Sequence, residues 1–196
     1  MENRVRSIRG IILDHLLGLP EQFLEWDRYY LEAIGGSRYL RPFSQILVGA
    51  TYFGDGYIWG LAALGLIIFG RPIDRQYVLI ALGITIVNIT VFRLLKYLFR
   101  RTRPYYVSPL RELRYRRLDS YSFPSGHATT SFGLAFLISC FYPILPVQMA
   151  AYFVSSLIGF SRIYVGEHYP SDVISGALLG ILISNLLLPI FERIFF

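Results

Sequence analysis

Three cations stand at or near the ends of apolar segments, where their charge could bind an anion. Lys96 ends one such segment, Arg103 follows it in the next loop, and Arg162 closes another. Arginine guanidinium groups match phosphate oxygens in a bidentate way, whereas lysine acts as a point charge. Ser125 adds a hydroxyl, and Gly126 lets backbone N–H groups approach an anion at an expected helix N-terminus. These residues predict a pocket for a tetrahedral oxyanion.

Two histidines and a carboxylate supply groups for proton transfer and bond formation. His168 and Asp172 are four residues apart and share one face if that segment is helical. An aspartate bonded to one imidazole nitrogen makes the other nitrogen a better nucleophile. His127 can protonate a leaving oxygen. Glu167 is an alternative partner for His168, although adjacent residues on a helix do not face each other. Carboxylates are few among these cations, so we predict no metal ion and no cofactor.

The composition limits the class of protein that can carry these residues. The chain has 196 residues, of which 54% are hydrophobic and only 16% charged, and its mean hydropathy is +0.47. Soluble domains are roughly 25% charged, so an ordinary cytosolic enzyme is excluded, and the hydrophobicity excludes a disordered chain. The single cysteine, Cys140, excludes an internal disulfide framework. The net charge of +6 favours anionic lipid or phosphate over nucleic acid as a partner.

Apolar runs predict an all-α, polytopic transmembrane bundle formed by a single domain over residues 1–196. A membrane-spanning helix needs about 20 mostly apolar residues. We predict five spans, at about 42–70, 76–99, 126–142, 146–164 and 172–191. Residues 1–40 are predicted to lie on the membrane surface as an amphipathic segment, because their many charges make a crossing costly. Successive spans alternate in direction, so the candidate residues are expected to meet on one side of the membrane.

Three motifs then identify a resemblance to a known family. They are Lys96-(six residues)-Arg103-Pro104, Pro124-Ser125-Gly126-His127 and Ser161-Arg162-(five residues)-His168-(three residues)-Asp172. In order and spacing they resemble the three-part signature of the type 2 phosphatidic acid phosphatase (PAP2) superfamily. That family typically has six spans, whereas five and an interfacial segment are predicted here.

The resemblance implies a metal-independent lipid phosphatase in a membrane, with a bilayer and a phosphorylated lipid as its partners. His168 would attack phosphorus and form a phosphohistidine, with Asp172 orienting it. His127 would protonate the leaving group and then activate water. The phosphate would be held by Lys96, Arg103, Ser125, Gly126 and Arg162.

The motifs bind only phosphate and leave the lipid open. Undecaprenyl diphosphate, phosphatidylglycerophosphate, phosphatidic acid and lipid A are candidates. A vanadate-dependent haloperoxidase shares the signature, but those enzymes are soluble. A non-catalytic lipid-phosphate carrier is a further alternative, which the intact nucleophile and acid disfavour. The oligomeric state is not predicted.

Several polar residues outside the motifs have two interpretations. Asp55, between two glycines, is either a helix break or a residue on the substrate side. A group of arginines is either a solvated face or a contact to lipid headgroups: Arg100, Arg101, Arg111, Arg114, Arg116 and Arg117.

We expect an integral protein of the bacterial cytoplasmic membrane. The positive-inside rule places the site on the cytoplasmic side, whereas lipid phosphatases of the family often face outward. The side is therefore left open.

Overall fold

The structure is a computed structural model that describes residues 21–104 and 120–196. These residues form seven α-helices and contain no strand beyond an isolated bridge between Thr102 and Tyr121. The helices are α1 (Glu21–Gly35), α2 (Ser44–Phe53), α3 (Tyr57–Phe69), α4 (Pro72–Phe99), α5 (Gly126–Phe141), α6 (Leu145–Tyr164) and α7 (Pro170–Phe195), with a 3-10 helix at Arg41–Phe43 before α2. The predicted all-α fold is confirmed.

Two of the described helices, α4 with 28 residues and α7 with 26, are long and apolar enough to cross a membrane. The predicted first span, 42–70, is a pair of helices that bends by 62° near Asp55, as a broken span or a re-entrant loop. Helix α5 is apolar but has 16 residues, and α6 has 20. Two or three crossings are therefore supported within the described residues, and the count of five stays a prediction.

The N-terminal segment is described only from Glu21 onward, where α1 is amphipathic as predicted. Its exposed face carries the aromatic side chains of Trp26, Tyr29 and Tyr30. Its buried face carries Leu24, Asp27 and Leu31. Leu31 joins a core cluster with residues of α5, α6 and α7, so α1 packs against the bundle. Four of the arginines discussed above, at 111, 114, 116 and 117, lie outside the described residues.

The start of α7 places a candidate carboxylate by a simple capping arrangement. Proline at the first turn suits a helix start, because its missing N–H needs no partner there. Asp172 in the first turn then accepts a hydrogen bond from the backbone N–H of Tyr169 at 2.8 Å. Helix α4 begins in the same way, with Asp74 accepting from the N–H of Arg71 at 2.6 Å. An aspartate therefore caps the start of each of these two helices.

Small residues bring α5 and α7 close together in the centre of the bundle. A Cβ atom on Gly180 would overlap the backbone of Thr129, and one on Gly176 would lie 2.5 Å from the carbonyl oxygen of Ser125. Asn88 of α4 donates to the hydroxyl of Ser184 on α7 at 3.2 Å. These contacts hold α4, α5 and α7 together and fix the position of the N-terminus of α5.

Candidate active site

One cavity of about 1280 Å³ collects most of the candidate residues. Its polar end is lined by Lys96, Arg103, His127, Arg162 and His168, which come from α4, the segment after it, α5, α6 and the loop before α7. The rest of the wall consists mainly of apolar side chains of α3, α4 and α5. The expectation that four separate stretches of sequence meet at one end of the bundle therefore agrees with the structure.

Three cations of the cavity are held by oxygen atoms of the protein. Lys96 donates to the carbonyl oxygens of Tyr121 at 2.7 Å and Ser122 at 3.4 Å. Arg103 donates to the carbonyl oxygen of Glu167 at 3.0 Å and to its carboxylate at 2.6 Å. Arg162 lies 3.9 Å from the same carboxylate. Because both guanidinium groups share one carboxylate, this end of the cavity keeps a positive charge that suits an anion.

His168 lies between α6 and α7 with only 1% of its surface exposed. Its backbone N–H donates to the carbonyl oxygen of Arg162 at 3.2 Å. Its Nε2 is 3.4 Å from a guanidinium nitrogen of Arg103, and its Nδ1 is 3.6 Å from Asp172. Burial, followed by the charges of Arg103 and Lys96, lowers the pKa of His168 well below its usual value. The imidazole is therefore neutral, which is the form that can act as a nucleophile.

Glu167 does not take the role of partner to His168 in this structure. Its carboxylate binds the guanidinium groups instead, while Asp172 is the carboxylate nearest to Nδ1. Of the two partners considered from the sequence, the geometry favours Asp172.

Asp172 is itself held by Arg101, whose environment was predicted wrongly from the sequence. Arg101 was expected on a solvated face or at lipid headgroups, but it is 3% exposed and donates to Asp172 at 2.8 Å. Its other nitrogen donates to Asp27 of α1 at 2.6 Å. Burial lowers the pKa of Arg101, but the carboxylates of Asp172 and Asp27 outweigh it and raise that pKa above its usual value. The expectation was wrong because two buried carboxylates, distant in sequence, pair with this guanidinium and offset the cost of burying its charge.

Asp27 completes this network from the opposite end of the chain. Its carboxylate accepts hydrogen bonds from the backbone N–H of Ser171 at 2.9 Å and from the Ser171 hydroxyl. The same hydroxyl accepts a hydrogen bond from Arg101 at 2.7 Å. Helix α1 therefore contributes directly to the position of the loop and helix start that carry His168 and Asp172.

His127 lies on the first turn of α5, and its ring is bound to Asp55. The distance between Nε2 of His127 and a carboxylate oxygen of Asp55 is 2.7 Å. Asp55 occupies the break between α2 and α3 and also lines the cavity, so the helix-break interpretation agrees with the structure and a role toward the substrate stays a prediction. At Gly54 an added Cβ would lie 3.0 Å from the His127 ring and 2.7 Å from Ile158. The break therefore needs a residue without a side chain next to His127.

Ser125 and Gly126 hold the start of α5 in place. The Ser125 hydroxyl accepts from the N–H of Ala128 at 3.5 Å, and its own N–H donates to the carbonyl oxygen of Asp172 at 2.9 Å. Gly126 lines the cavity, and a Cβ there would lie 2.8 Å from the ring of Phe92. Ser125 is buried and acts as a helix cap, whereas Gly126 faces the cavity.

Asp55, Arg101 and Asp27 were not among the candidate residues predicted from the sequence. Two of them had a signal there, whereas Arg101 looks like one arginine among several. Asp55 is the only charge in a long apolar run, and Asp27 lies at helical spacing from Leu24 and Leu31, on the apolar stripe of α1. Among the described residues, no three side chains of His, Cys, Asp or Glu cluster in a way that could hold a metal ion.

Comparison with known proteins connects this site to a family. The model of the PAP2 superfamily matches residues 76–196. The chain is 34% identical over 108 residues to the lipid A 4'-phosphatase of Bacteroides thetaiotaomicron, covering 53% of this chain and 48% of that protein. It is 34% identical over 146 residues to the undecaprenyl-diphosphatase of Sulfolobus acidocaldarius, covering 72% and 67%. The alignments thus span from about half to two thirds of these relatives.

Two solved structures share the fold. The crystal structure of Aquifex aeolicus LpxE has a TM-score of 0.68 and 26% identity, covering 82% of this chain and 93% of that one. The PAP2-type phosphatidylglycerolphosphate phosphatase of Bacillus subtilis has a TM-score of 0.70 and 23% identity, covering 98% and 96%. The second likeness extends over α1 as well as the helices of the site.

Proposed function

The chain belongs to the PAP2 superfamily, and on this basis we propose that it is an integral membrane phosphatase that removes a terminal phosphate from a lipid without a metal ion. One observation carries the proposal. Two histidines and three cations share the polar end of a cavity whose other walls are mainly apolar. A phosphate headgroup with a hydrocarbon chain matches both parts of that cavity. The named relatives, a lipid A phosphatase and an undecaprenyl-diphosphatase, support the same class of substrate.

In the first step of the proposed reaction, His168 attacks the terminal phosphorus. Its Nδ1 faces Asp172, so Nε2 is the nitrogen that forms the bond to phosphorus. The bond between phosphorus and the leaving oxygen breaks, and His127 gives that oxygen a proton. Lys96, Arg103 and Arg162 stabilise the charge on the phosphate oxygens. Gly126 offers its backbone at the start of α5, and Ser125 keeps that helix start in place.

In the second step, water hydrolyses the phosphohistidine. His127, now neutral, takes a proton from the water as its oxygen attacks phosphorus, and the bond to Nε2 of His168 breaks. Inorganic phosphate leaves and both histidines return to their starting forms. Asp55 orients the His127 ring through its hydrogen bond of 2.7 Å, and Asp172 with Arg101 keeps the nucleophile in place.

The experiment is a phosphate-release assay with purified protein in detergent. The panel contains undecaprenyl diphosphate, phosphatidylglycerophosphate, phosphatidic acid and lipid A, each measured with and without EDTA. We expect phosphate release from at least one lipid, and we expect EDTA to leave it unchanged. With a substrate radiolabelled in its terminal phosphate, we also expect the label on the protein to be stable in alkali but labile in acid, as a phosphohistidine is. Loss of activity on chelation contradicts the metal-free reaction. Tight lipid binding without any release favours the carrier.

Location in the bacterial cytoplasmic membrane is part of this proposal. Accessibility labelling of a cysteine placed at Arg100, which is exposed at the end of the helix that carries Lys96, determines in intact cells which side the site faces. Reaction of this cysteine with a membrane-impermeant reagent supports hydrolysis on the outer surface of the membrane. Protection of the cysteine from the reagent supports hydrolysis on the cytoplasmic side.

A further inference from the structure

An arginine outside the three motifs faces the cavity. Arg93 of α4 is exposed and is the only charged residue between Arg75 and Lys96. It lines the same cavity as Lys96, and none of the ion pairs or hydrogen bonds within the described residues involves it. A cation in an apolar helix is costly unless it has a function or reaches the interface. Because Arg93 lines the cavity, an anion bound there would offset the cost of its charge.

The order of residues along α4 shows where that anion lies. Cavity-lining positions recur at helical spacing, with Thr85 and Ile89 in the apolar part, then Arg93, then Lys96. Arg93 and Lys96 are separated by a rise of about 4.5 Å along the helix, which is the scale of one phosphate group. We consider a lipid whose terminal phosphate lies at Lys96 and whose hydrocarbon chain lies along Ile89. The part of its headgroup that joins the phosphate to the chain then lies beside Arg93.

From this order we infer that Arg93 binds a second phosphate, on the lipid side of the one that is cleaved, and so makes the site selective for lipid diphosphates over lipid monophosphates. This inference rests on the proposed function. Lys96, Arg103 and Arg162 hold the terminal phosphate, while the guanidinium of Arg93 contacts the phosphate that remains on the lipid. The second phosphate is also the leaving group, so Arg93 stabilises the charge that develops on it.

The test compares two substrates with the same hydrocarbon chain. Farnesyl diphosphate has two phosphates and farnesyl monophosphate has one, so their ratio of kcat/KM isolates the second phosphate. We expect Arg93→Gln to lower kcat/KM for the diphosphate about 10- to 100-fold, the range of a lost charge-assisted hydrogen bond. The monophosphate is expected to change by less than about threefold, because Arg93 does not contact a terminal phosphate.

A matched control removes the same charge nearby. Arg100 is exposed, binds the carbonyl oxygen of Tyr97 and is not part of the cavity wall. Arg100→Gln is expected to leave the substrate ratio unchanged, and Arg93→Lys is expected to recover part of the diphosphate activity because the charge remains. Recovery by lysine also shows that the loss is not a folding defect.

Four results overturn the inference. They are equal losses on both substrates, no loss on either, a change of ratio in Arg100→Gln, or a selective loss on phosphatidylglycerophosphate alone. The last would assign Arg93 to a phosphate separated by glycerol. If the wild-type protein releases phosphate from no lipid, the proposed function fails, whereas a ratio that Arg93→Gln leaves unchanged removes only the role of Arg93.

Discussion

The two histidine–aspartate pairs of the site are built in different ways. His127 and Asp55 are 72 residues apart in the chain and make a hydrogen bond of 2.7 Å in the wall of the cavity. His168 and Asp172 are four residues apart but 3.6 Å from each other, and both are almost fully buried. The pair that is close in sequence is therefore the looser of the two in space.

The reason lies in the other partners of Asp172. Its two carboxylate oxygens are used by Arg101 and by the N–H of Tyr169. Asp172 therefore acts on His168 as a fixed, buried charge rather than as a full hydrogen-bond partner. Asp55, on the break between two helices, reaches the His127 ring directly. The proposed nucleophile is placed by a buried network, and the proposed acid is placed by a residue of the cavity wall.

The largest losses of activity are expected when either imidazole is replaced, and the sizes of the two losses distinguish the roles of the two histidine–aspartate pairs. His168→Asn is expected to lower hydrolysis of every phosphate substrate by about 10⁴-fold or more, because the nucleophile is lost. His127→Asn is expected to lower lipid hydrolysis about 10²- to 10⁴-fold, the usual contribution of a general acid. The measurement is release of the leaving group in a single turnover.

An aryl phosphate, whose phenolate leaves without a proton, sharpens this prediction. With p-nitrophenyl phosphate the burst of the first turnover is expected to persist in His127→Asn and to be absent in His168→Asn. A burst in His168→Asn would exchange the two assignments.

The next effects compare the two carboxylates. Asp172→Asn is expected to lower kcat about 10³- to 10⁴-fold, as loss of an orienting aspartate does in other triads. It is also expected to lower thermal stability, since Arg101 loses a buried partner. Asp55→Asn is expected to lower kcat about 10- to 100-fold with little change in Tm, because Asp55 lies at the cavity surface. A larger kinetic effect at Asp55 than at Asp172 would reverse the comparison.

A smaller effect tests whether α1 supports the nucleophile. Asp27→Asn weakens the ion pair with Arg101 and is expected to reduce the free energy of unfolding by about 1–3 kcal/mol. The loss of kcat is expected to be about tenfold or less, since Arg101 keeps its ion pair with Asp172. Thermal unfolding in detergent and the kinetics of phosphate release measure both.

Glu25, on the exposed side of the same helix, gives the control for this prediction. Glu25→Gln removes a charge of the same sign from α1 and is expected to change neither Tm nor kcat. If both variants behave alike, α1 does not support the site through Asp27.

The smallest effect tests the position of the His127 ring. Gly54→Ala places a methyl group 3.0 Å from that ring and 2.7 Å from Ile158. We expect kcat to fall about threefold to tenfold through crowding, without a change in the burst of p-nitrophenyl phosphate. Gly49→Ala, with no atom within 4 Å of the added carbon, is the matched control. Equal losses of kcat in both variants would show that the effect of Gly54→Ala does not come from crowding of the His127 ring.

These pairs also show how much the sequence could predict. The motif residues were found because each stands at or near an end of an apolar run, and alternating helices bring such ends together. Asp172 could be assigned to His168 from their spacing of four residues, although His168 lies in the loop before α7 and not on that helix. The helical class followed in the same way from the length of the apolar runs.

The remaining site residues depend on contacts between distant segments, which a single sequence does not contain. Arg101 looks like one arginine among several, and only its ion pairs with Asp27 and Asp172 explain its burial. The bend at Asp55 depends on how α2 and α3 pack against the bundle. The number of crossings is likewise undecided by hydropathy, because α5 is shorter than a usual span.

The hydrogen bond between Asp27 and Ser171 joins residues 144 positions apart. Since a ribosome adds roughly 5–20 residues per second, α1 is made on the order of 10 s before its partner. Lys96, Arg103 and His127 are added to the chain during that interval, but the loop that carries His168 is made only at its end. Under the proposed function, the ability to act on lipid therefore does not grow gradually during synthesis. It arises in one late step, when the start of the last helix meets the first.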